Sequence, residues 1–190
     1  DPLEQREDHP RAAPEHLAAQ PGRAQEHPDR AAAEEALQAL RGIEVVYAGK
    51  SLLTTAVARW AREEGLGVDV CSAGELAVAL AGGVEPARIV MHGNAKSPEE
   101  LREAVRVGIG RVVLDSCIEI AYLAGLARKR QPVLIRVTPD IDIHGHRAVT
   151  TGISDQKFGF TLAEDHAADA VKRVLAHPIL DLVGLHCHIG

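Results

Sequence analysis

Short runs of apolar residues recur at similar intervals along most of the chain, and stretches with helical periodicity separate them. The runs lie at residues 43–48, 67–71, 88–91, 111–114, 132–137 and 181–187. Continuous apolar runs of this length are typical of parallel strands that are buried on both faces. Helical patterns cover residues 52–64, 73–82, 98–107, 117–130 and 163–176. The pattern predicts alternating strands and helices, and therefore a mostly parallel α/β sheet that is either doubly wound or a barrel.

Three of the predicted helices begin with the same local signature, a serine followed three residues later by a glutamate. The three copies are Ser72-Ala-Gly-Glu75, Ser97-Pro-Glu-Glu100 and Ser116-Cys-Ile-Glu119. In such a capping box the serine hydroxyl and the glutamate carboxylate accept hydrogen bonds from the unpaired N–H groups of the first turn. We therefore expect helices to start directly after these serines.

Two observations favour a barrel over a doubly wound sheet. The early units have nearly equal length, as repeated right-handed crossovers would have. No GxGxxG or GxxxxGK[ST] motif follows a strand, and Gly108-Ile-Gly110 precedes one and is typical of a turn. Residues 1–42 differ from the rest, since residues 1–30 carry five prolines among polar residues and alanine. We expect a disordered or loosely helical tail at 1–42, with a helix near 31–40, and a domain at 43–190.

Composition excludes several classes of function. The chain has 190 residues, 46% hydrophobic, and its 21 Lys and Arg are outnumbered by 27 Asp and Glu, so nucleic-acid binding is not expected. There is neither an apolar run of about 18 residues nor a secretory signal, so we expect no membrane association. Three cysteines without CxxC spacing favour a reducing, cytoplasmic setting. The length is short of the roughly 250 residues of a complete (β/α)₈ barrel, so an incomplete barrel is expected.

Residues able to do chemistry lie near the carboxyl ends of predicted strands, where the active sites of α/β proteins lie. Lys50 follows the first strand beside the small Ala48, and it is either a Schiff-base nucleophile or a surface lysine. Asp69 lies inside an apolar strand and needs a partner, for which Arg136 in a later strand is plausible. Glu75 is explained equally well by its capping box.

Histidines mark two further strand ends. His92 belongs to a polar group, with Asn94 and Lys96, that is either a converging site or a solvated loop. His186 and His188 share one face of the last strand, and three interpretations remain open. They are a metal pair, joined by His144 or His146 in a zinc-type hydrolase, an imidazole lying flat on a planar ligand, or histidines with structural partners.

Seven segments occur in an order that resembles the fold-type III, pyridoxal-phosphate (PLP) dependent decarboxylases, over roughly Glu44 to Gly190. They are YAGK, VDVCSAGEL, HGNAKS, VLDS, IRVTP, DQKFG and GLHCHIG. The resemblance implies part of a TIM-type barrel of the alanine racemase-like PLP-binding class. It is strongest to the branch that converts meso-2,6-diaminoheptanedioate to L-lysine and CO₂ in lysine biosynthesis. It also implies a small amino-acid substrate, PLP as cofactor, no metal, and a cytoplasmic homodimer in the full-length family member.

The resemblance also implies roles for five residues. Lys50 would form the Schiff base with PLP and His188 would stack on the pyridine ring, which makes both catalytic. Asp69, Glu75 and Arg136 would bind the cofactor.

The sequence departs from the family in Ala48-Gly49-Lys50-Ser51-Leu52, where A-x-K-A-N is usual, and upstream of Ile43. The family's Gly-rich phosphate loop and C-terminal β-domain are not found, so we expect an amino-terminal portion whose activity alone is open. The alternatives are a PLP decarboxylase for another diamino acid, a metal-dependent TIM-barrel hydrolase, and a non-catalytic truncated paralogue.

Overall fold

A computed structural model describes residues 42–139, 158–162 and 165–188. Within these ranges the strands are β1 (Val46–Ala48), β2 (Gly67–Val70), β3 (Ile89–Met91), β4 (Arg111–Leu114), β5 (Gln131–Thr138), β6 (Phe160–Thr161) and β7 (Leu180–His186). The helices are α1 (Thr55–Glu63), α2 (Ala73–Ala81), α3 (Pro98–Val107), α4 (Cys117–Leu126) and α5 (His166–Leu175). The six predicted strands and the five predicted helices in these ranges are confirmed, with small differences at their ends, whereas the two-residue β6 was not predicted.

The strands form a parallel sheet whose order follows the chain. β1 pairs with β2, β2 with β3, β3 with β4, and β4 with β5. β5 then pairs with β7 along Gln131–Arg136 and with β6 at Val137–Thr138. A doubly wound sheet reverses its strand order, and none of these pairings does so. The winding is therefore that of a barrel, and since the described strands do not close on β1, the predicted partial barrel is confirmed.

The core lies between the strands and the helices. Central strand residues such as Val70, Met91 and Leu114 are completely buried, and so are Leu101 and Ala104 on the inner face of α3. Burying one Leu or Met side chain contributes about 1.5–3 kcal/mol, so this layer fixes each helix against its strands. Since every strand ends at the same edge of the sheet, the loops after β1–β4 and the carboxyl ends of β5 and β7 meet there.

The three predicted serine N-caps are confirmed. The predicted hydrogen bond from the cap N–H to the glutamate is found for one glutamate and is wrong for the other two. Ser97 and Glu100 form the complete capping box: the Ser97 hydroxyl accepts from the Glu100 N–H at 3.1 Å, and Glu100 Oε2 accepts from the Ser97 N–H at 2.9 Å. Glu75 and Glu119 instead accept from Cys71 N–H and from Asp115 N–H, at 2.7 and 2.8 Å.

The length of the strand-to-helix connection explains this difference. In the β2–α2 and β4–α4 units only two residues, 71–72 and 115–116, separate strand from helix. The backbone N–H of the first of these residues is not paired in the sheet, and it donates a hydrogen bond to the glutamate of the helix. Before α3 the connection is longer, 92–97, and Glu100 instead accepts a hydrogen bond from the N–H of the N-cap residue, Ser97. The predicted turn at Gly108 is also confirmed, because this residue ends α3 with φ 77°.

Residues 1–41 lie outside the described residues. The tail at 1–42, its boundary with the domain at 43–190, and the helix near 31–40 therefore stay predictions. In the part of the chain that the structure describes, no helix is long and apolar enough to cross a membrane.

Candidate active site

A cavity of about 370 Å³ opens at the carboxyl ends of the strands. Its size falls in the range of small-molecule sites, roughly 300–1,000 Å³. The lining residues come from the loops after β1, β2 and β3, the start of α3, β5, the segment before β6 and the end of β7: Lys50, Cys71, His92, Gly93, Asn94, Ala95, Glu100, Arg136, Phe158, His186 and His188. Three of the five residues that the resemblance implicates, Lys50, Arg136 and His188, therefore meet at one cavity.

Lys50 projects from a 3₁₀ turn, Gly49–Ser51, that directly follows β1. β1 ends at Ala48, so Lys50 follows the strand rather than belonging to it, and its side chain is exposed. Among the described residues the Lys50 amine has no hydrogen-bond or ion-pair partner. The turn packs so closely on β2 that a Cβ at Gly49 would overlap the carbonyl oxygen of Asp69. Glycine before Lys50 is thus a steric requirement of this turn.

Asp69 is the middle residue of a contact that joins β1, β2 and the loop after β3. Its Oδ1 accepts a hydrogen bond from the Gly49 N–H at 2.8 Å, and its Oδ2 lies 3.5 Å from Nε2 of His92. The prediction that Asp69 has a polar partner is confirmed. The suggestion that this partner is Arg136 is wrong, because β3 and β4 lie between β2 and β5 in the sheet.

Arg136 pairs with the end of the adjacent strand instead. Its Nη1 lies 3.8 Å from Oδ1 of Asp115, and the same oxygen accepts the Gly159 N–H at 2.8 Å. The Phe158 ring lies over the guanidinium, 4.6 Å from its carbon to the ring centroid. Burial raises the pKa of the Asp115 carboxyl above its usual range, although the positive charges of Lys96 and Arg136 oppose this shift. The guanidinium is therefore held in one orientation at the cavity wall.

Behind Arg136 lies a second buried ion pair. Nζ of Lys96 is 3.0 Å from Oε2 of Glu119, and these two side chains are 1% and 5% exposed. Lys96 also donates to the Gly93 carbonyl, which belongs to the loop that lines the cavity. One oxygen of Glu119 and one of Asp115 are buried without a hydrogen-bond partner in the described structure. The cavity thus rests on a compact group of four buried charges.

Three histidines line the cavity, and burial disfavours the charged form of each. Burial lowers the pKa of His92, of His188 and of His186, the last to about 4. The positive charge of Arg136 lowers all three further, and that of Lys50 adds to the effect on His92 and His188. Neutral imidazoles are flat, weakly polar surfaces, so they suit contact with a planar ligand. The prediction that both lie on one face of the last strand is wrong for His188, because β7 ends at His186, but both histidines line this cavity.

The described residues do not form a metal centre. Within residues 42–139, 158–162 and 165–188, no group of three or more His, Cys, Asp and Glu side chains is placed to hold a metal ion. His144 and His146, which the hydrolase alternative requires, lie outside the described residues.

Two glutamates near the cavity are engaged by the backbone. Glu75 does not line the cavity, because its carboxylate accepts from Cys71 N–H. The thiol of Cys71 has its pKa raised to about 11, first by burial and then by its hydrogen bond to Glu75. Glu100 lines the cavity and accepts from the N–H groups of Ala73 and Ser97, at 3.0 and 2.9 Å. Its pKa is held below the usual range, chiefly by the Ser97 N–H.

Sequence reasoning did not single out Asp115, Glu119 or Phe158 as site residues, and it left His92 and Lys96 undecided. Asp115 directly follows the apolar run at 111–114. A carboxylate at the end of a buried strand needs a cationic partner, and that rule identified Asp69. The same rule applied to every strand end would have found Asp115.

Comparison with known proteins places this geometry in a family. Residues 30–190 match the family model described as pyridoxal-dependent decarboxylase, pyridoxal binding domain. Diaminopimelate decarboxylase of Actinosynnema pretiosum subsp. auranticum is 54% identical over 161 residues, which cover 85% of this chain and 37% of that protein. The enzyme of the same name from Mycobacterium tuberculosis is 50% identical over 152 residues, 78% of this chain and 34% of that protein. The chain spans about a third of the length of these curated relatives.

Solved structures agree with the fold. Diaminopimelate decarboxylase of M. jannaschii in complex with L-lysine superposes with a TM-score of 0.72 and 31% identity, covering 82% of this chain and 37% of that chain. The Helicobacter pylori enzyme complexed with L-lysine gives a TM-score of 0.76 and 27% identity, covering 85% of this chain and 42% of that chain. These likenesses confirm the predicted fold class. Because the family model covers residues 30–190 of the 190, the chain belongs to the pyridoxal-dependent decarboxylases, whose pyridoxal-binding domain it matches.

Proposed function

We propose that the protein containing this chain is a PLP-dependent carboxy-lyase of lysine biosynthesis that converts meso-2,6-diaminoheptanedioate to L-lysine and CO₂. The curated relatives at 50–54% identity are diaminopimelate decarboxylases, and two of the solved ones were crystallised with L-lysine, the product of that reaction. The observation that carries the proposal is the Lys50 amine, which has no hydrogen-bond or ion-pair partner among the described residues and lines the same cavity as Arg136 and His188.

The described residues fit the aldehyde and ring of the cofactor. Lys50 supplies a primary amine without a partner among the described residues, which can bind an aldehyde carbon covalently. His188 supplies an imidazole that would lie against the ring, and the guanidinium of Arg136 lines the same cavity. When bound, PLP supplies an electron-accepting ring for the electrons released as CO₂ leaves the substrate. The protein's share is to hold these groups in a fixed orientation.

Asp69 and Glu75 are proposed as cofactor-site residues that act beside the ring. Asp69 holds the turn that carries Lys50, through its hydrogen bond with Gly49 N–H. Glu75 holds Cys71, a lining residue, through both its N–H and its thiol. A carboxylate at either position also adds negative charge next to an otherwise positive cavity.

The described residues give no comparable fit for the phosphate at the helices that follow β2, β3 and β4. Helix N-termini commonly bind phosphate. At α2, α3 and α4, however, first-turn or adjacent N–H groups are already occupied by the carboxylates of Glu75, Glu100 and Glu119 and by serine hydroxyls. The proposal therefore assigns the phosphate to none of these three helices.

We also propose that the whole protein is a homodimer in the cytoplasm. The three cysteines of this chain are free and exposed, which is consistent with a reducing compartment. Gel filtration combined with light scattering measures the oligomeric state, and a monomeric holoenzyme would contradict the dimer. Cell fractionation with detection in the soluble fraction tests the location.

The decisive experiment locates the cofactor and then the substrate. The protein is loaded with PLP, reduced with borohydride and mapped by peptide mass spectrometry, with Lys50→Arg as the test variant. Lys129→Arg, an exposed lysine before β5, is the matched control. We expect a stable label on Lys50 that Lys50→Arg removes and Lys129→Arg keeps. CO₂ release is then compared for diaminoheptanedioate, lysine, ornithine and arginine.

A folded protein that carries no label on Lys50 would contradict the assignment of the cofactor. A labelled protein that releases CO₂ faster from another of the four amino acids would contradict the substrate.

A further inference from the structure

Three neighbouring strands place a backbone N–H, a carboxylate and an imidazole side by side. In the sheet register Ala48 of β1 lies opposite Asp69 of β2, which in turn lies opposite Val90 of β3. Gly49 follows Ala48 directly, and His92 follows the end of β3. Asp69 therefore faces the Lys50 turn on one side and the His92 loop on the other.

The two carboxylate oxygens of Asp69 contact these two neighbours separately. Oδ1 accepts the Gly49 N–H at 2.8 Å, and Oδ2 lies 3.5 Å from His92 Nε2. The Asp69 and His92 side chains are only 25% and 15% exposed. Asp69 accepts its hydrogen bond from the N–H of Gly49, the residue immediately before Lys50. The orientation of the carboxylate therefore helps to fix the position of the 3₁₀ turn that carries Lys50.

His92 is built to hold the second oxygen. Its backbone N–H donates to the Val70 carbonyl at 2.9 Å, which ties the loop to β2 one residue beyond Asp69. Its Nε2 is buried and makes no hydrogen bond to the described residues, so its 3.5 Å contact with Asp69 Oδ2 is electrostatic. The terminal torsion of an aspartate is soft, so a carboxylate held at one oxygen alone can rotate, and the imidazole beside the second oxygen restricts that rotation.

We infer that His92 is a positioning residue for Lys50, which acts by fixing the carboxylate of Asp69. The inference rests on the proposed role of Lys50 in binding PLP. It assigns a function to the histidine of the HGNAKS segment. His92 itself need not touch the reacting atoms, because its effect passes through Asp69 and the Gly49 peptide.

The first test measures the Asp69–His92 contact without cofactor. The negative charge of Asp69 raises the pKa of His92 against the effect of burial. Asp69→Asn should therefore lower the pKa of His92 in an NMR titration of the histidine rings. The ring signals of His177, an exposed histidine between α5 and β7, serve as the internal reference in the same spectra. An unchanged His92 pKa in Asp69→Asn would overturn the inference.

The second test measures Lys50 itself in the full chain. Site-resolved labelling is followed with trinitrobenzenesulfonate, an amine reagent, and with PLP trapped by borohydride. We expect His92→Phe to slow both reactions at Lys50 at least tenfold. His92→Gln keeps an N–H donor and should recover most of the rate. His177→Phe should change it less than twofold.

A double variant separates positioning from general damage. If His92 acts through Asp69, His92→Phe should add no further loss in an Asp69→Asn background. Additive losses, or equal losses in His92→Phe and His177→Phe, would overturn the inference. Failure to trap PLP on Lys50 in the unmodified protein, with trinitrobenzenesulfonate labelling still dependent on His92, would refute the proposed function and leave the positioning role intact.

Discussion

Replacing Lys96 by methionine should destabilise the domain strongly, because it leaves the Glu119 carboxylate buried without its cation. The Lys96 and Glu119 charges are 3.0 Å apart and the side chains are 1% and 5% exposed. At an effective dielectric constant of about 20 their attraction is about 5.5 kcal/mol, most of which offsets the cost of burying both charges. Removing one partner of a buried pair costs about 3–5 kcal/mol, a large part of the roughly 5–15 kcal/mol that stabilises a domain.

The exposed pair Lys172–Asp169 provides a matched control for this variant. Its N–O distance is 2.9 Å, but the side chains are 73% and 58% exposed. Lys172→Met should therefore leave the free energy of unfolding almost unchanged. Adding Glu119→Gln to Lys96→Met removes the stranded charge and keeps an acceptor for the Asp115 N–H. The double variant should regain at least half of the loss.

Urea denaturation followed by far-UV circular dichroism measures these differences. The single tryptophan, Trp60, is 63% exposed and would report unfolding poorly. If Lys96→Met and Lys172→Met lose equal stability, or if Glu119→Gln gives no recovery, burial is not what makes this pair important. Should Lys96→Met be too unstable to purify, Glu119→Gln alone should still lose stability, since it strands Lys96.

Three further changes have defined outcomes. Gly49→Ala should reduce PLP trapping on Lys50 at least tenfold, because the added Cβ would overlap the Asp69 carbonyl oxygen. Gly74→Ala, at a helical position with open space, is the control: it should leave trapping intact and raise the free energy of unfolding by up to about 1 kcal/mol. Ser97→Ala should lower the free energy of unfolding by about 1 kcal/mol in urea, and no change would refute the capping role. The pKa of His186 is about 4 in the folded protein and 6.5 ordinarily, so between pH 6.5 and about 4 the unfolded chain binds a proton that the folded protein does not. The free energy of unfolding should therefore decrease as the pH falls from 6.5 to about 4 and level off below that. His186→Asn should flatten the plot of urea midpoint against pH, and an unchanged plot would contradict this.

The arrangement of strands was predictable because parallel strands buried on both faces leave continuous apolar runs. The apolar runs that contain β2 to β5 and β7 are such segments. The starts of α2, α3 and α4 were predictable because a serine N-cap precedes each of them. β6 was missed because Phe160–Thr161 is too short to produce a pattern. The start of α1 was placed three residues too early, at 52, because Leu52 and Leu53 fit the apolar pattern of the helix, whereas Leu52 is extended and Thr54 is the N-cap.

The meeting of Lys50, Arg136 and His188 was predictable for a geometric reason, since the carboxyl ends of parallel strands share one edge. The partners of the charged residues were not. Arg136 pairs with Asp115 because β4 is adjacent to β5, and lateral neighbours depend on which way the sheet winds. Glu75 reaches Cys71 instead of its own cap because the connection before α2 has only two residues.

The order of strands in the sheet also has a kinetic consequence. From β1 to β5 each strand pairs with the next one along the chain, so each pairing closes a loop of only one helical unit. Glu100 links the start of α3 to the start of α2, which connects adjacent units in the same sequential way. The entropic cost of loop closure grows with sequence separation, so we expect assembly to proceed from the amino-terminal units during synthesis. The β5–β7 pairing spans a longer stretch of chain and should form last, and it is the step that brings His186 and His188 to a cavity whose other wall is already in place.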